Sequence, residues 1–122
     1  MSVLNLGFYF QKKEVYIGKW TMEALGMPEY LQIFVNEKDK CLFLKGCEKD
    51  LDAAAIKINY KKREGVQYYH FISTKFLRWM AELLGMRMNS ESISFSGQFV
   101  DGEDMVYFDL MKYRIVQPVG TL

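Results

Sequence analysis

The chain has 122 residues, of which half are hydrophobic and 16% are aromatic, a composition typical of one folded domain and unlike that of a disordered segment. Sixteen Lys and Arg residues against 15 Asp and Glu residues leave a formal net charge of +1, so the strongly basic balance of many nucleic-acid-binding domains is absent. We therefore expect a single domain over residues 1–122, in which any nucleic-acid contact comes from a local basic patch.

The first part of the chain predicts two hairpins with a short helix between them. Alternating residues over 8–17 predict a hairpin that turns at QKKE. A helix is expected at about residues 19–25, because Gly26 can end it and Pro28 prevents its continuation. The second hairpin is expected to join the strands YLQIFV and CLFLK through the loop NEKDK.

The middle of the chain predicts two further strands. Ile56, Ile58 and Tyr60 alternate with polar residues, and residues 66–72 form another candidate strand after the polar turn KKREG. His70 lies in the second of these strands, and we expect it on the more apolar face.

The last part of the chain predicts a longer helix followed by a hairpin. Ser73 is a good N-cap and Gly85 a good terminator, so we expect a helix over residues 73–84. The segment SISFSGQFV predicts a strand, DGED a turn, and residues 106–110 the returning strand. The alternation then changes phase, which predicts a bulge or bend near residues 110–112.

Together these elements predict an α+β fold in which antiparallel β-hairpins dominate and two helices pack on them. Residues 20–27, WTMEALGM, and residues 79–86, WMAELLGM, agree at five of eight positions. Each copy lies in a helix that follows a strand and precedes a hairpin, so the order strand, helix, strand, strand occurs twice.

This recurrence indicates a pseudo-two-fold repeat with candidate halves 14–46 and 68–111. The shared tryptophan of each copy has a structural interpretation, because a large ring can anchor a helix on a sheet. We therefore expect Trp20 and Trp79 to be buried at equivalent places.

The residues that could carry catalysis form no recognisable pattern. His70 is the only histidine, and the nearby Ser73 is already the expected helix cap, so no Ser–His–acid arrangement is indicated. The acidic clusters lack the ligand spacing of a calcium loop, and the scattered glycines form no phosphate-binding loop. We expect no enzyme activity, no metal and no cofactor.

The cysteines and the hydropathy pattern bear on the location of the protein. The spacing of Cys41 and Cys47 matches no common zinc or redox motif, and we expect two reduced thiols near a strand. No apolar segment approaches the ~20 residues that span a bilayer, and the first residues lack the pattern of a signal peptide. These features predict a soluble cytoplasmic protein without a membrane partner.

Basic residues in two predicted turns are the candidates for a binding function. Such positions could contact phosphates along a DNA duplex. The alternative is that basic turns protect sheet edges and maintain solubility. The candidate nucleic-acid-binding residues are Lys12, Lys13, Lys61, Lys62 and Arg63.

The stretch EVYIGKWTMEALGMPEYLQIFVNEKDKCLFLK resembles the swapped-hairpin family of AbrB-like transition-state regulators and antitoxins. That family has a strand, one short helix ending in Leu-Gly-aliphatic, and a hairpin in this order. The apolar and glycine positions of the pattern are matched by Val15, Ile17, Leu25, Gly26 and Met27. The segment LGMPEYLQIFVNEKDKCLFLK is also similar to a group of small bacterial proteins to which we attach no activity.

Two features of the AbrB-like pattern are replaced in this chain. Gly18 and Lys19 stand where the family has a proline at the start of the helix, and Glu29 and Tyr30 stand where it has a Gly-Asp pair. The resemblance covers about a quarter of the chain and implies two DNA-binding units fused in one polypeptide.

The leading interpretation is a non-enzymatic DNA-binding protein similar to transcription regulators. The alternative is a protein-interaction or structural module whose exposed aromatic residues, such as Tyr68 or Tyr69, contact a partner. The high aromatic content is also compatible with a homodimer that buries some of these side chains.

Overall fold

The computed structural model describes residues 3–47, 55–58, 60 and 67–116. In this part of the chain an antiparallel sheet and two helices form an α+β fold, as predicted. The strands are β1 (Leu4–Tyr9), β2 (Glu14–Gly18), β3 (Tyr30–Asn36), β4 (Cys41–Cys47), β5 (Ile56–Lys57), β6 (Tyr68–Ile72), β7 (Ile93–Val100), β8 (Met105–Asp109) and β9 (Arg114–Ile115). The helices are α1 (Lys19–Ala24) and α2 (Thr74–Leu84).

The strands lie in the order β5-β3-β4-β8-β7-β1-β2-β6, and the short β9 pairs with β7. All of these pairs are antiparallel. The sheet is curled, so that residues from its two ends meet. The ring of Tyr60, which follows β5, lies 5.1 Å from the ring of Tyr69 in β6, measured between centroids.

The hydrophobic core covers the inner face of this curled sheet. Because side chains alternate along a strand, each long strand sends every second residue inward. Phe8 of β1 is fully buried, and its ring makes edge-to-face contacts with Phe95 of β7 at 4.9 Å and Phe76 of α2 at 5.7 Å. The other buried residues of the core include Leu6, Val15, Ile17, Leu31, Leu42, Leu44, Leu77, Met80, Ile93, Val106 and Phe108.

The N-cap of α2 and the C-terminal ends of both helices follow from the local sequence. The hydroxyl of Ser73 accepts a hydrogen bond from the Phe76 N–H at 3.2 Å, as expected of an N-cap. Gly26 and Gly85 have left-handed backbone angles, with φ of 83° and 69°. The N–H of the methionine after each glycine donates to a carbonyl five residues earlier, so each Leu-Gly-Met segment ends its helix in a Schellman motif.

The prediction that both tryptophans are buried is wrong. Trp20 is 46% exposed and Trp79 is 40% exposed. The Trp79 Nε1–H donates to the Glu37 carboxylate in the β3–β4 turn, which is consistent with the preference of an indole N–H for a polar partner. Smaller or more flexible side chains fill the buried helix faces, namely Thr21 and Met22 in α1 and Leu77, Met80 and Ala81 in α2.

The element order supports part of the repeat interpretation. Strand, helix, strand, strand occurs as β2-α1-β3-β4 and again as β6-α2-β7-β8. The superposition of residues 14–46 on residues 68–111 stays a prediction.

The phase change after β8 arises from a turn and bend over residues 110–112, the second of the two predicted alternatives, and not from a bulge. Leu110 is buried whereas Met111 is exposed. The Lys112 N–H donates to the Asp109 carbonyl at 3.2 Å, and the Met111 N–H donates to the Asp109 carboxylate at 3.0 Å. The chain then returns as β9 beside β7. The predicted turn KKREG and Val66 lie outside the described residues.

In the described part of the chain, no helix has the length and apolarity that crossing a membrane requires.

Helix α1 is connected to β1 by a buried hydroxyl. Thr21 is fully buried, and its Oγ1 donates to the Asn5 carbonyl at 3.0 Å. We expect Thr21→Val to lower the free energy of unfolding by about 1 kcal/mol, because the carbonyl loses its donor while the side-chain volume is nearly kept. Urea denaturation measures the change. Thr74→Val, at a partly buried position, is the control, and an equal loss in both variants would contradict this role for the hydrogen bond.

Candidate binding surface

Four aromatic side chains gather on the outer face of β1, β2 and β6. In β2, Val15 and Ile17 point into the core, so Tyr16 between them points outward. The Tyr16 ring lies 4.4 Å from Tyr9, 5.6 Å from His70 and 6.2 Å from Tyr68, measured between centroids. We call Tyr9, Tyr16, Tyr68 and His70 the aromatic cluster. It presents ring surface to solvent, since Tyr68 is 52% exposed.

The strand register explains why His70 belongs to this cluster. His70 pairs with Tyr16, and Tyr68 pairs with Gly18. The prediction that His70 lies on the more apolar face is therefore wrong. His70 does share its parity with Tyr68, but that face is the outer one and His70 is exposed. Tyr69 points inward and packs against the core, so of the two tyrosines proposed as partner contacts only Tyr68 lies on the outer face.

Two lysines lie over aromatic rings at either end of β2. The Lys12 ammonium is 5.9 Å from the centre of the Tyr9 ring, and the Lys19 ammonium is 5.3 Å from the Trp20 ring. Such cation–π contacts hold a charged group beside a ring without removing it from water. Lys12 therefore places positive charge beside the aromatic cluster, and Lys19 places positive charge beside the exposed Trp20 at the start of α1.

The local surroundings raise the pKa values of two tyrosines in the aromatic cluster. A hydrogen bond to the Glu14 carboxylate, together with burial, raises the pKa of Tyr16 to about 12. Burial, and then the neighbouring Tyr68, raise the pKa of Tyr9. Both phenols are therefore neutral over the physiological pH range.

The predicted basic site is only partly described. Lys12 and Lys13 lie in the β1–β2 turn, where both are exposed, and Lys13 has a positive φ of 59°. Lys61, Lys62 and Arg63 lie outside the described residues, so the convergence of all five cations stays a prediction.

The sequence reasoning missed Tyr9, Tyr16 and Lys19. Their pattern was present, because Tyr9 and Tyr16 have the opposite parity to the core residues of their strands. No sequence pattern indicated that β2 pairs with β6, and only that pairing assembles the aromatic cluster.

A second aromatic row lies on the outer face of β3, β4 and β8. Phe34 pairs with Phe43, and Phe43 pairs with Tyr107, whose ring lies 5.4 Å from it. Phe34 is 45% exposed. Neither of the lysine–ring contacts found in the described residues involves this row, so it is the natural control surface for tests of the aromatic cluster.

Other chemistry is sparse in the described part of the chain. No group of three or more His, Cys, Asp or Glu side chains there could hold a metal ion. Burial, and then Asp39 and Asp109, raise the pKa of the Cys41 thiol, so this cysteine is a neutral buried thiol. An open cavity of ≈ 360 Å³ beside the end of α1 is lined by Ala24, Leu25, Gly26, Pro28, Gly46, Cys47 and Asp104.

Comparison with known proteins adds no relative. No family model, no curated protein and no solved structure matches this chain. Function is therefore inferred from the chemistry of the surface, in which the aromatic cluster and its neighbouring lysines combine rings with positive charge.

Proposed function

We propose that the protein is a non-enzymatic nucleic-acid-binding protein whose contact surface is the aromatic cluster together with Lys12 and Lys19. The observation that carries this proposal is the placement of both ammonium groups beside aromatic rings at the two ends of β2. Nucleic acids present the matching chemistry, since their phosphates attract lysines and their bases stack on aromatic rings. A protein partner would not require a lysine beside an aromatic ring at each end of β2.

The small net charge does not conflict with this proposal. Only a local patch has to be positive, because the electrostatic contribution to binding comes from the lysines that lie near phosphates. Lys13 extends the patch along the β1–β2 turn. Lys61, Lys62 and Arg63, which lie outside the described residues, stay candidate contacts on the sequence alone.

We also propose that the fold is a fused pair of related units, as the AbrB-like resemblance implies. Exchanging β1–β4 with β5–β8 converts the β3–β4 pair into β7–β8 and the β1–β7 pair into β5–β3, and it leaves the β4–β8 and β2–β6 pairs unchanged. The β1–β2 pair has no β5–β6 counterpart among the described residues. These strand-pair correspondences, together with the eight-residue sequence match, support the proposed duplication.

The salt dependence of binding tests the proposed function. A labelled oligonucleotide should bind at about 50 mM salt, and its affinity should fall as salt rises, because lysine–phosphate contacts release counterions. The double variant Lys12→Ala/Lys19→Ala should make the logarithmic salt slope shallower by about 1.4, which corresponds to two contacts with a single strand. Fluorescence anisotropy at several salt concentrations measures both quantities.

A matched variant controls for the loss of two charges. Lys38 and Lys112 are exposed and lie in turns away from the aromatic cluster, so Lys38→Ala/Lys112→Ala should leave the slope almost unchanged. Equal slopes for the two double variants, or no binding at low salt, would refute the proposed contact surface.

A further inference from the structure

We infer that the aromatic cluster selects single strands with unpaired bases over duplexes, an inference that rests on the proposed function and names its ligand class. The cluster lies on the outer surface of a sheet, where Tyr68 and His70 are exposed to solvent. In a duplex the base faces are already stacked on each other, so a duplex offers such a surface mainly its phosphates. A single strand can instead place its bases on the rings.

The positions of the lysines fit a strand that runs along β2. Lys12 precedes β2 and Lys19 follows it, with Tyr16 at the centre of the strand. The five residues of β2 span about 16 Å, which leaves room for a few bases between the two cations. Both lysines can then contact phosphates while the bases between them face the rings.

Glu14 adds a constraint on the orientation of the strand. Glu14 lies on the same outward side of β2 as Tyr16, so its carboxylate places negative charge beside the cluster. A phosphate directly over Tyr16 would be repelled, whereas an uncharged base would not. The arrangement therefore favours bases over the rings and phosphates near Lys12 and Lys19.

Three probes of equal length separate base stacking from phosphate binding. They are a thymidine oligonucleotide of about 12 nucleotides, an abasic oligonucleotide with the same backbone, and a duplex. We expect the thymidine strand to bind at least about tenfold more tightly than either of the others. Anisotropy at one fixed low salt concentration measures all three affinities.

Variants then assign the stacking to the cluster. Tyr68→Ala should weaken binding of the thymidine strand about tenfold and leave abasic binding unchanged, while circular dichroism verifies folding. Phe34→Ala removes a similarly exposed ring from the second aromatic row and should change neither affinity.

The outcomes distinguish this inference from the proposed function. Salt-dependent and equal binding of all three probes would overturn the preference for single strands and leave nucleic-acid binding in place. An equal effect of Tyr68→Ala on thymidine and abasic strands would also overturn it. If none of the three probes binds, both the preference for single strands and the proposed function are overturned.

Discussion

Replacing Phe8 with alanine is expected to lower the free energy of unfolding by about 3–5 kcal/mol, the range typical of a large ring removed from a core. Phe8 is fully buried and contacts rings of β7 and α2 as well as Phe10, whose ring lies 6.1 Å away. Its loss leaves a cavity between the helix and the sheet, because neighbours held in separate elements cannot all move inward.

The matched control for Phe8→Ala is Phe34→Ala. Both changes remove a phenylalanine from a strand, but Phe34 is 45% exposed on the outer face, so its loss should cost below about 1 kcal/mol. Urea denaturation at a temperature where both variants are folded measures the difference. Similar destabilisation by the two variants would contradict the placement of the core on the inner face of the sheet.

Replacing Tyr16 with alanine is expected to weaken binding of a single strand by about tenfold to a hundredfold, since each stacked base is worth about 1–3 kcal/mol. Tyr16 contacts all three other members of the aromatic cluster. Its removal therefore takes away both a stacking surface and the support that holds the neighbouring rings in place.

Tyr16→Phe separates the ring from the hydroxyl. This variant keeps the ring and loses only the hydrogen bond to Glu14, so it should bind a single strand within about threefold of the original protein. In the original protein the pKa of Tyr16 is raised to about 12, so its hydroxyl stays neutral between about pH 7 and pH 9. We therefore expect the affinity of the original protein for a single strand to be constant over this pH range. A phenylalanine variant as weak as the alanine variant would show that the ring is not the important group.

Local sequence was sufficient for much of the fold. Ser73, Gly26 and Gly85 mark helix ends through hydrogen bonds and backbone angles that depend on a few neighbouring residues, and the alternation in β3, β4, β7 and β8 reports their buried sides directly. The antiparallel α+β class follows from these elements, because short turns between strands produce hairpins.

Long-range pairing was beyond the same reasoning. Which face of a strand is buried depends on what covers it, and His70 shows this: its parity was correct, but the covered side of β6 is the one with Tyr69 and Phe71. The tryptophans were misplaced for a related reason. A helix buries only one side, and Trp79 lies where its N–H reaches Glu37.

Of the candidate surface, the sequence predicted Lys12 and Lys13 as DNA contacts and Tyr68 as a contact for a protein partner. Its aromatic part joins residues from β1, β2 and β6, and β6 is separated from β2 by the whole of the β3–β5 segment. No local spacing indicates that Tyr16 and His70 are neighbours, because their contact exists only after the sheet has formed.

Mapping the contact surface by amide chemical shifts tests the central claim most directly. In a titration of the ¹⁵N-labelled protein with a thymidine oligonucleotide, the largest shifts should fall on β1, β2 and β6, around Tyr9, Tyr16, Tyr68 and His70. The amides of β3, β4 and β8 around Phe43 should move little. Shifts centred on β3, β4 and β8, or no shifts at saturating oligonucleotide, would contradict the assignment of the aromatic cluster as a nucleic-acid-binding surface.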